Sequence, residues 1–172
     1  MVLLDINVLI NAHRLDAPRH HEFQQWLERE ISSGRPYSVP SLVRSGFIRI
    51  ITHYKIFQNP TSPETAIRFM ESLRENENHV EISPGIRHWK IFMDLCLALE
   101  AKGNLVADAY LAAMAIESGG EWITADRDFA RFPGVKWRHP LDAPYGPEGR
   151  SGREAQESRS SYRVKKHLTR KK

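Results

Sequence analysis

Acidic side chains follow two apolar runs of the sequence that have the pattern of buried strands. Asp5 comes directly after Val2–Leu4, and Asp126 and Asp128 come just after Trp122–Thr124. If the two strands are neighbours in one sheet, the carboxylates converge, and two of them about 4 Å apart repel by roughly 4 kcal/mol at an effective dielectric constant near 20. Such a cluster takes up protons or binds a hard cation, and Mg²⁺ or Mn²⁺ suits oxygen ligands. A divalent ion held there polarises a phosphodiester and activates water, so the pattern predicts metal-assisted phosphodiester hydrolysis.

A third acid, Asp108, falls in the first turn of a predicted helix over 106–117. There it either joins the acidic cluster or only interacts favourably with the helix dipole. The other acids have structural alternatives too, since Asp126 is a suitable N-cap for the short segment 127–132 and Asp128 lies further along that segment. The metal site is therefore predicted from the joint placement of these acids, because no single one of them indicates it.

The elements that must position these acids alternate between strands and helices. Apolar runs predict strands at 2–4, 79–82, 122–124 and 135–137. Helical spacing of apolar residues predicts helices at 23–31, 42–51, 63–74, 84–99 and 106–117, with Ser62 and Ser83 as two of the N-caps. This order predicts an α/β domain with a mainly parallel sheet, in which ligands gather beyond the carboxyl ends of the strands.

The charge of the chain is unevenly distributed. The 172 residues carry 25 Lys and Arg against 21 Asp and Glu, a net charge of +4. Residues 143–172 hold nine of the basic and three of the acidic side chains, so their net charge is +6 and that of residues 1–142 is −2. We predict a folded domain with the hydrolytic site over 1–142 and a disordered basic tail over 143–172, because the tail has too few apolar residues to offset its ordering entropy. The tail either contacts nucleic-acid phosphates or only extends into solvent.

Composition excludes several classes of protein. A single cysteine, Cys96, excludes a disulfide scaffold and a structural zinc site with several thiolates, and we interpret it as a small buried hydrophobic residue. The eight histidines show no metal-ligand spacing, and Trp26, Trp89 and Trp122 are predicted to be core residues. Since the chain has neither a membrane-length apolar stretch nor a signal-peptide pattern, we expect a cytoplasmic protein that does not enter a membrane.

Four segments of the sequence together carry a family resemblance. They are MVLLDINVLI at 1–10, GFIRIIT at 46–52, GNLVADAYLAA at 103–113 and ITADRDFARF at 123–132. In this order they resemble the PIN-domain ribonucleases, above all the VapC toxins of bacterial toxin–antitoxin pairs. The resemblance covers residues 1 to about 140, and the tail lies outside it.

The resemblance implies a fold, an activity and partners. The implied fold is a PIN-like three-layer α/β/α sandwich with a mainly parallel central sheet. The implied activity is that of a Mg²⁺-dependent endoribonuclease, which cleaves RNA, forms a homodimer and is silenced by a VapB-like antitoxin. By position, the catalytic acids and metal ligands would be Asp5, Asp108 and Asp126, and the supporting residues would be Asn7, Thr124 and Asp128.

One position departs from the family pattern. Many members carry a glutamate three residues before the arginine that aligns with Arg49, and this chain has Gly46 there. The missing carboxylate favours an alternative in which the chain is a catalytically weak PIN-like module that binds RNA or a protein. A phosphatase of the haloacid dehalogenase type is a further alternative, suggested by the acid that ends the first strand. That chemistry needs a second acid two residues later, where this sequence has Asn7.

Overall fold

Four parallel strands form one sheet in the part of the chain that the structure describes. The computed structural model describes residues 1–142, and the predicted disordered tail, 143–172, lies outside the described residues. The strands are β1 (Val2–Leu4), β2 (Tyr37–Ser38), β3 (Glu121–Ile123) and β4 (Trp137–Arg138). They lie in the order β2-β1-β3-β4, and every neighbouring pair is parallel.

Six helices connect and cover the strands within residues 1–142. They are α1 (Ile6–His13), α2 (His20–Ile31), α3 (Ser41–Ile51), α4 (Pro63–Arg74), α5 (His88–Ala98) and α6 (Asn104–Ser118). A short 3₁₀ turn, Arg127–Arg131, follows β3. Helix α1 packs on α2 and α3, and α5 packs on α6. None of the helices in the described range has the length and apolar character needed to cross a membrane.

The sheet is buried on both faces. Leu3 and Leu4 are neighbours in β1, so their side chains point to opposite faces of the sheet. Both are fully buried, as are Trp122 and Ile123 in β3. Parallel sheets are covered in this way because their crossover helices pack on the two faces. The predicted three-layer α/β/α fold with a parallel central sheet is therefore confirmed.

The strand order determines where a ligand would bind. After β1 the chain crosses to β2 on one side, whereas β3 pairs with the other side of β1, with Leu4 opposite Ile123. The carboxyl ends of β1 and β3 therefore lie side by side at the point where the strand order reverses. Open α/β sheets bind their ligands at such a point.

The prediction of a strand at 79–82 is wrong. His79 makes only an isolated bridge to Tyr37, with Tyr37 N–H donating to the Asn78 carbonyl oxygen and Val80 N–H donating to that of Tyr37. Because β2 is two residues long, it offers no further partner for a ladder there. The last strand is also displaced, to Trp137–Arg138 from the predicted 135–137.

The prediction that Ser83 caps a helix is wrong as well. Helix α5 begins only at His88. Glu117 accepts hydrogen bonds from the backbone N–H groups of Gly85 (2.7 Å) and Arg87 (2.8 Å), which holds this segment as a turn. By contrast, Ser62 caps α4 as predicted, because its hydroxyl accepts a hydrogen bond from Thr65 N–H.

Three further features differ from the sequence-based predictions. Helix α1 was not predicted, although it begins directly after Asp5. Helix α6 begins at Asn104, so Asp108 lies in its second turn and not its first. Trp89 is 61% exposed and is not a core residue, whereas Trp26 and Trp122 are buried as predicted. Cys96 is partly buried.

Candidate active site

Asp5 links the end of β1 to the start of α1. Its backbone N–H donates to the Ile123 carbonyl oxygen at 2.9 Å, which continues the pairing of β1 with β3. Its side chain is the N-cap of α1, with Oδ1 accepting a hydrogen bond from Ile6 N–H at 2.6 Å. Aspartate is among the favoured N-cap residues. One buried residue thus ends a strand, starts a helix and places a carboxylate at the edge of the sheet.

Thr124 and Asn7 hold the second oxygen of Asp5. The Thr124 hydroxyl donates to Asp5 Oδ2 at 2.6 Å and accepts from Asn7 Nδ2 at 3.0 Å and from Asp126 N–H at 2.9 Å. Asn7 Nδ2 also donates to Asp5 Oδ2 at 2.8 Å, and Asn7 Oδ1 accepts from Ala125 N–H at 2.8 Å. These contacts tie the start of α1 to the segment that follows β3. The structure therefore brings together Asp5 and the predicted supporting residues Asn7 and Thr124.

Asp126 turns the chain after β3. Its backbone is extended, and its Oδ1 accepts a hydrogen bond from Asp128 N–H at 2.8 Å, so it caps the 3₁₀ turn as its structural alternative predicted. Because a carboxylate has about four acceptor sites, this cap does not exclude a second role. The Thr124 hydroxyl fixes the Asp126 backbone beside Asp5. Asp126 is thus both a cap and a neighbour of the buried acid.

Asp108 reaches this edge from α6. Its pKa is raised by partial burial first and then by the negative charges of Asp126 and Asp128. The charge of Asp108 in turn raises the pKa of Asp5, to a smaller extent than burial does. These effects show that the predicted acids act on one another electrostatically at the carboxyl ends of β1 and β3.

The carboxylate of Asp5 is destabilised by its surroundings. Burial raises the pKa of Asp5 from 3.8 to about 6, although the hydrogen bonds from Thr124, Ile6 and Asn7 favour the charged form. A charged group taken out of water must gain a proton or a compensating cation to recover its lost hydration energy. We call this edge of the sheet, with Asp5, Asp108 and Asp126, the acidic edge. A cation bound there would relieve the repulsion between its carboxylates.

The donor atoms at this edge fit a hard divalent cation. Within residues 1–142, no group of three or more His, Cys, Asp or Glu side chains is placed to hold a metal ion together. Mg²⁺ does not require such a cage, because it keeps several of its waters and commonly binds one or two carboxylates together with substrate phosphates. Asp5 and Asp108 supply oxygen donors of this kind, and oxygen donors suit Mg²⁺ or Mn²⁺ better than softer metals.

Gly46, the position of the missing glutamate, lies on α3 against the start of α1. A Cβ added at Gly46 would stand 2.8 Å from Ile6 Cδ1, so the end of the Ile6 side chain fills the space beside it. Ile6 follows Asp5 in the chain, so Gly46 packs against the residue next to the buried acid. Sequence reasoning missed this contact, and its only signal was a glycine inside a helix, which indicates close approach of another group.

Comparison with known proteins identifies the family. The PIN domain family matches residues 2–135. This chain belongs to the PIN domain family. Among its relatives, Ribonuclease VapC43 of Mycobacterium tuberculosis (strain ATCC 25618 / H37Rv) is 42% identical over 142 residues, which cover 83% of this chain and 97% of the relative. Ribonuclease VapC25 of the same strain is 39% identical over 140 residues, which cover 81% of this chain and 99% of that relative.

A solved structure shares the fold of this PIN domain. The crystal structure of VapBC2 from Rickettsia felis bound to a DNA fragment from their promoter matches with a TM-score of 0.61 and 16% sequence identity. The match covers 81% of this chain and 98% of that chain. At this level of identity the likeness shows the fold alone. In this PIN domain, the acids Asp5, Asp108 and Asp126 come from three separate elements of that fold.

Proposed function

We propose that this PIN domain is a Mg²⁺-dependent endoribonuclease and the toxin of a VapBC-type toxin–antitoxin pair, with Mn²⁺ able to replace Mg²⁺. The observation that carries the proposal is the buried Asp5, which accepts three hydrogen bonds at the reversal point of the sheet and lies within electrostatic reach of Asp108. Relatives at 42% and 39% identity that are named ribonucleases support RNA as the substrate.

Each residue of the site has a distinct part in this proposal. Asp5 and Asp108 would hold the ion, and Asp126 would complete the acidic site. A divalent ion bound there would polarise the phosphodiester and lower the pKa of an attacking water. Asn7 and Thr124 fix Asp5 Oδ2 through their hydrogen bonds, so the carboxylate keeps one orientation. The backbone N–H of Asp128 orients the carboxylate of Asp126.

The partners follow from the same comparisons. We propose a VapB-like antitoxin as the inhibitor, since one solved structure with this fold is a VapBC2 assembly and the two sequence relatives described above are VapC proteins. We also propose a homodimer acting in the cytoplasm, where its RNA substrate is found. These assignments are supported by family membership and not by the geometry of the acidic edge.

RNA cleavage by the purified full-length chain tests the proposed activity. We expect scission in Mg²⁺, none in EDTA, and a loss of about a hundredfold or more in Asp5→Asn and Asp108→Asn, because each removes a charged ligand of the ion. Glu28→Gln, a carboxylate-to-amide change on the exposed side of α2, is the matched control and should cleave normally. Circular dichroism verifies that each variant is folded. Full cleavage by both aspartate variants would refute the proposal.

A second candidate is a catalytically weak PIN-like module that binds RNA or a protein. The observation that favours it is Gly46, because the carboxylate expected there is absent and Ile6 fills the adjoining space. This candidate predicts binding of RNA with no scission above the EDTA control. Mg²⁺-dependent scission that disappears in Asp5→Asn would exclude it.

A further inference from the structure

The turn that joins α3 to α4 places two aromatic rings beside a lysine at the surface. The His53 and Tyr54 rings are stacked, with their centroids 5.5 Å apart and their planes inclined by 13°. Lys55 Nζ lies 5.8 Å from the centroid of the Tyr54 ring. Tyr54 is 73% exposed and Lys55 is exposed as well, so the phenol ring and the ammonium group face solvent. We call these three residues the 53–55 patch.

Contacts within the turn hold this patch in one conformation. Lys55 N–H donates to His53 Nδ1 at 3.1 Å. Phe57 N–H donates to the His53 carbonyl oxygen at 3.1 Å, and the Arg14 guanidinium lies 3.9 Å from the centroid of the Phe57 ring. Arg14 also donates to the Asn59 carbonyl oxygen at 3.1 Å. The rings are therefore oriented before a ligand arrives, which lowers the entropic cost of binding.

The chain around this patch is basic, although the body of the protein is slightly acidic. Residues 31–63 contain four Lys and Arg and no Asp or Glu, whereas residues 1–142 have a net charge of −2. Two of these four cations pair with acids outside the segment. The other two, Arg49 and Lys55, are exposed and form no ion pair within residues 1–142. Such cations attract a polyanion to this part of the surface.

Helix α3 connects this patch to the neighbourhood of the acidic edge. Gly46 of α3 packs against Ile6, the residue that follows Asp5. Arg49 lies three residues after Gly46 and so shares a face of the helix with it. His53 lies one further turn along, and its N–H bonds back into the last turn of α3. From Gly46 to His53 the helix rises by about 10 Å, which about three nucleotides of a stacked strand would span.

We propose that the 53–55 patch binds an unpaired base of the RNA strand that reaches the acidic edge. The base extends the stack on the Tyr54 ring, and Lys55 contacts a phosphate next to that base. Arg49 contacts a phosphate between the stacked base and the acidic edge. Aromatic rings beside cations bind single-stranded RNA in this way, because every base has a π-face. Parallel rings and unpaired cations are the two features that a base and its phosphate require together.

Binding at the patch rests on the proposed action on RNA and extends it to how the substrate is held. The patch binds the RNA, whereas the acidic edge carries out the proposed hydrolysis, so the two can be measured separately. Binding is measured in EDTA, where the RNA stays intact. A chain that binds RNA through the patch but never cleaves it would refute the proposed nuclease alone. A chain that cleaves RNA without using the patch would refute the proposed base contact alone.

The fluorescence of a labelled RNA tests the stacking directly. The probe is a single-stranded oligouridylate that carries 2-aminopurine at one position, and this position is moved along the strand from one probe to the next. The fluorescence of 2-aminopurine falls when the base stacks on an aromatic ring. We expect the full-length chain to quench the probe at one of these positions. Tyr54→Leu, which removes the ring but keeps an apolar side chain, should abolish this quenching.

The affinity for the same RNA should change with the same side chains. Tyr54→Leu should raise the dissociation constant by at least about fivefold, as expected for the loss of one contact between a base and an aromatic ring. Tyr54→Phe is the matched control, because it keeps the ring and should bind and quench normally. Arg49→Gln and Lys55→Gln should each make the slope of log affinity against log salt concentration shallower by about 0.7, and Lys55→Arg should keep the slope. Circular dichroism verifies that each variant is folded.

Three outcomes would overturn the proposed base contact. One is a wild-type chain that binds the RNA but quenches 2-aminopurine at no position. Another is a folded Tyr54→Leu protein that quenches and binds as the wild-type chain does, which would place the base elsewhere. The third is a set of variants that bind RNA normally but no longer bind the antitoxin, which would assign the 53–55 patch to a protein partner.

Discussion

Asp5 is both hydrogen-bonded and buried, and these two features have opposite effects on the ionisation of its carboxyl group. As the N-cap of α1 it accepts a hydrogen bond from Ile6 N–H, and with Thr124 and Asn7 it joins the ends of β1 and β3. Burial at the same place raises its pKa to about 6, which favours the protonated form. Three hydrogen-bond donors orient the acid without removing the cost of its charge, and a cation would offset that cost.

Removal of the Thr124 hydroxyl should weaken both the fold and the site. Thr124→Val leaves Asp126 N–H without its acceptor and removes a donor to Asp5 Oδ2. We expect the free energy of unfolding to fall by about 2 kcal/mol, as is usual when buried polar groups lose their partners. Urea denaturation at pH 7 measures this change, and Thr124→Ser is the control because it keeps the hydroxyl. Equal stability of wild-type and Thr124→Val proteins would contradict the network.

The raised pKa of Asp5 has a consequence for stability in metal-free solution. The native state binds the Asp5 proton more tightly than the unfolded chain does, so the bound proton contributes to the free energy of unfolding. This contribution is fully present below pH about 4 and is lost as the pH rises to about 6. The loss amounts to about 3 kcal/mol for a shift of about two pKa units. The raised pKa of Asp108 acts in the same direction.

Urea denaturation in EDTA between pH 4 and pH 7 measures this contribution. Relative to Asp5→Asn, which cannot ionise at this position, the wild-type chain should lose stability as the pH rises through this window. The difference between the two proteins removes the effect of the other carboxyl groups. If the free energies of unfolding of the two proteins changed with pH in the same way, the pKa of Asp5 would be the same in the folded and unfolded states, which would contradict the prediction.

At the scale of elements, local signals in the sequence predicted local structure. Ser62 followed by Pro63 marked the start of α4, because an N-cap and a proline at the first helical position act within one turn. The proximity of Asp5 and Thr124 was predictable too, since the carboxyl ends of parallel neighbouring strands meet at one edge. Strand β2 was not predictable, because two residues show no period and its pairing with β1 depends on tertiary contacts.

Contacts between helices could not be predicted from the sequence. The approach of Gly46 to Ile6 depends on how α3 crosses α1, and no local pattern specifies that crossing. Trp89 shows the same limit, since helical spacing indicates an apolar face but not whether another element covers it. The acids of the candidate site were therefore predicted from the sequence, and the packing of Ile6 against Gly46 was not.

The contact between α3 and α1 gives a prediction about stability. Gly46→Ala should gain about 1 kcal/mol in helix propensity, but its Cβ would lie 2.8 Å from Ile6 Cδ1. In the wild-type background we therefore expect little gain, whereas in Ile6→Val, which lacks Cδ1, the full gain should appear. A double-mutant cycle by urea denaturation measures the coupling between the two sites. An equal effect of Gly46→Ala in both backgrounds would contradict the packing described.

At the scale of the whole molecule, the charge is divided between a slightly acidic body and a basic tail. Residues 1–142 have a net charge of −2 and carry the acidic edge, whereas residues 143–172 have a net charge of +6. RNA is a polyanion, so the acidic edge alone repels it, and a bound cation would reduce that repulsion. The basic tail stays a predicted accessory to RNA binding.

Neutralising the end of the tail tests that accessory role in the full-length chain. The substitutions to glutamine are at Lys165, Lys166, Arg170, Lys171 and Lys172. In EDTA, we expect the slope of log affinity for single-stranded RNA against log salt concentration to become shallower by about 3.5, which corresponds to five lost phosphate contacts at about 0.7 each. A control in which the four lysines become arginine keeps the charge and should keep the slope. An unchanged slope in the glutamine variant would show that the tail makes no phosphate contacts.

The central claim is that the acids at the carboxyl ends of β1 and β3 share one divalent cation. Electron paramagnetic resonance of free Mn²⁺ during titration of the full-length chain measures this binding directly, with Mg²⁺ as the competitor. We predict one Mn²⁺ per chain, displaced by excess Mg²⁺, with an affinity at least about tenfold weaker in Asp5→Asn and in Asp108→Asn and unchanged in Glu28→Gln. Folded Asp5→Asn and Asp108→Asn proteins that bound Mn²⁺ as tightly as the wild-type chain would contradict the claim.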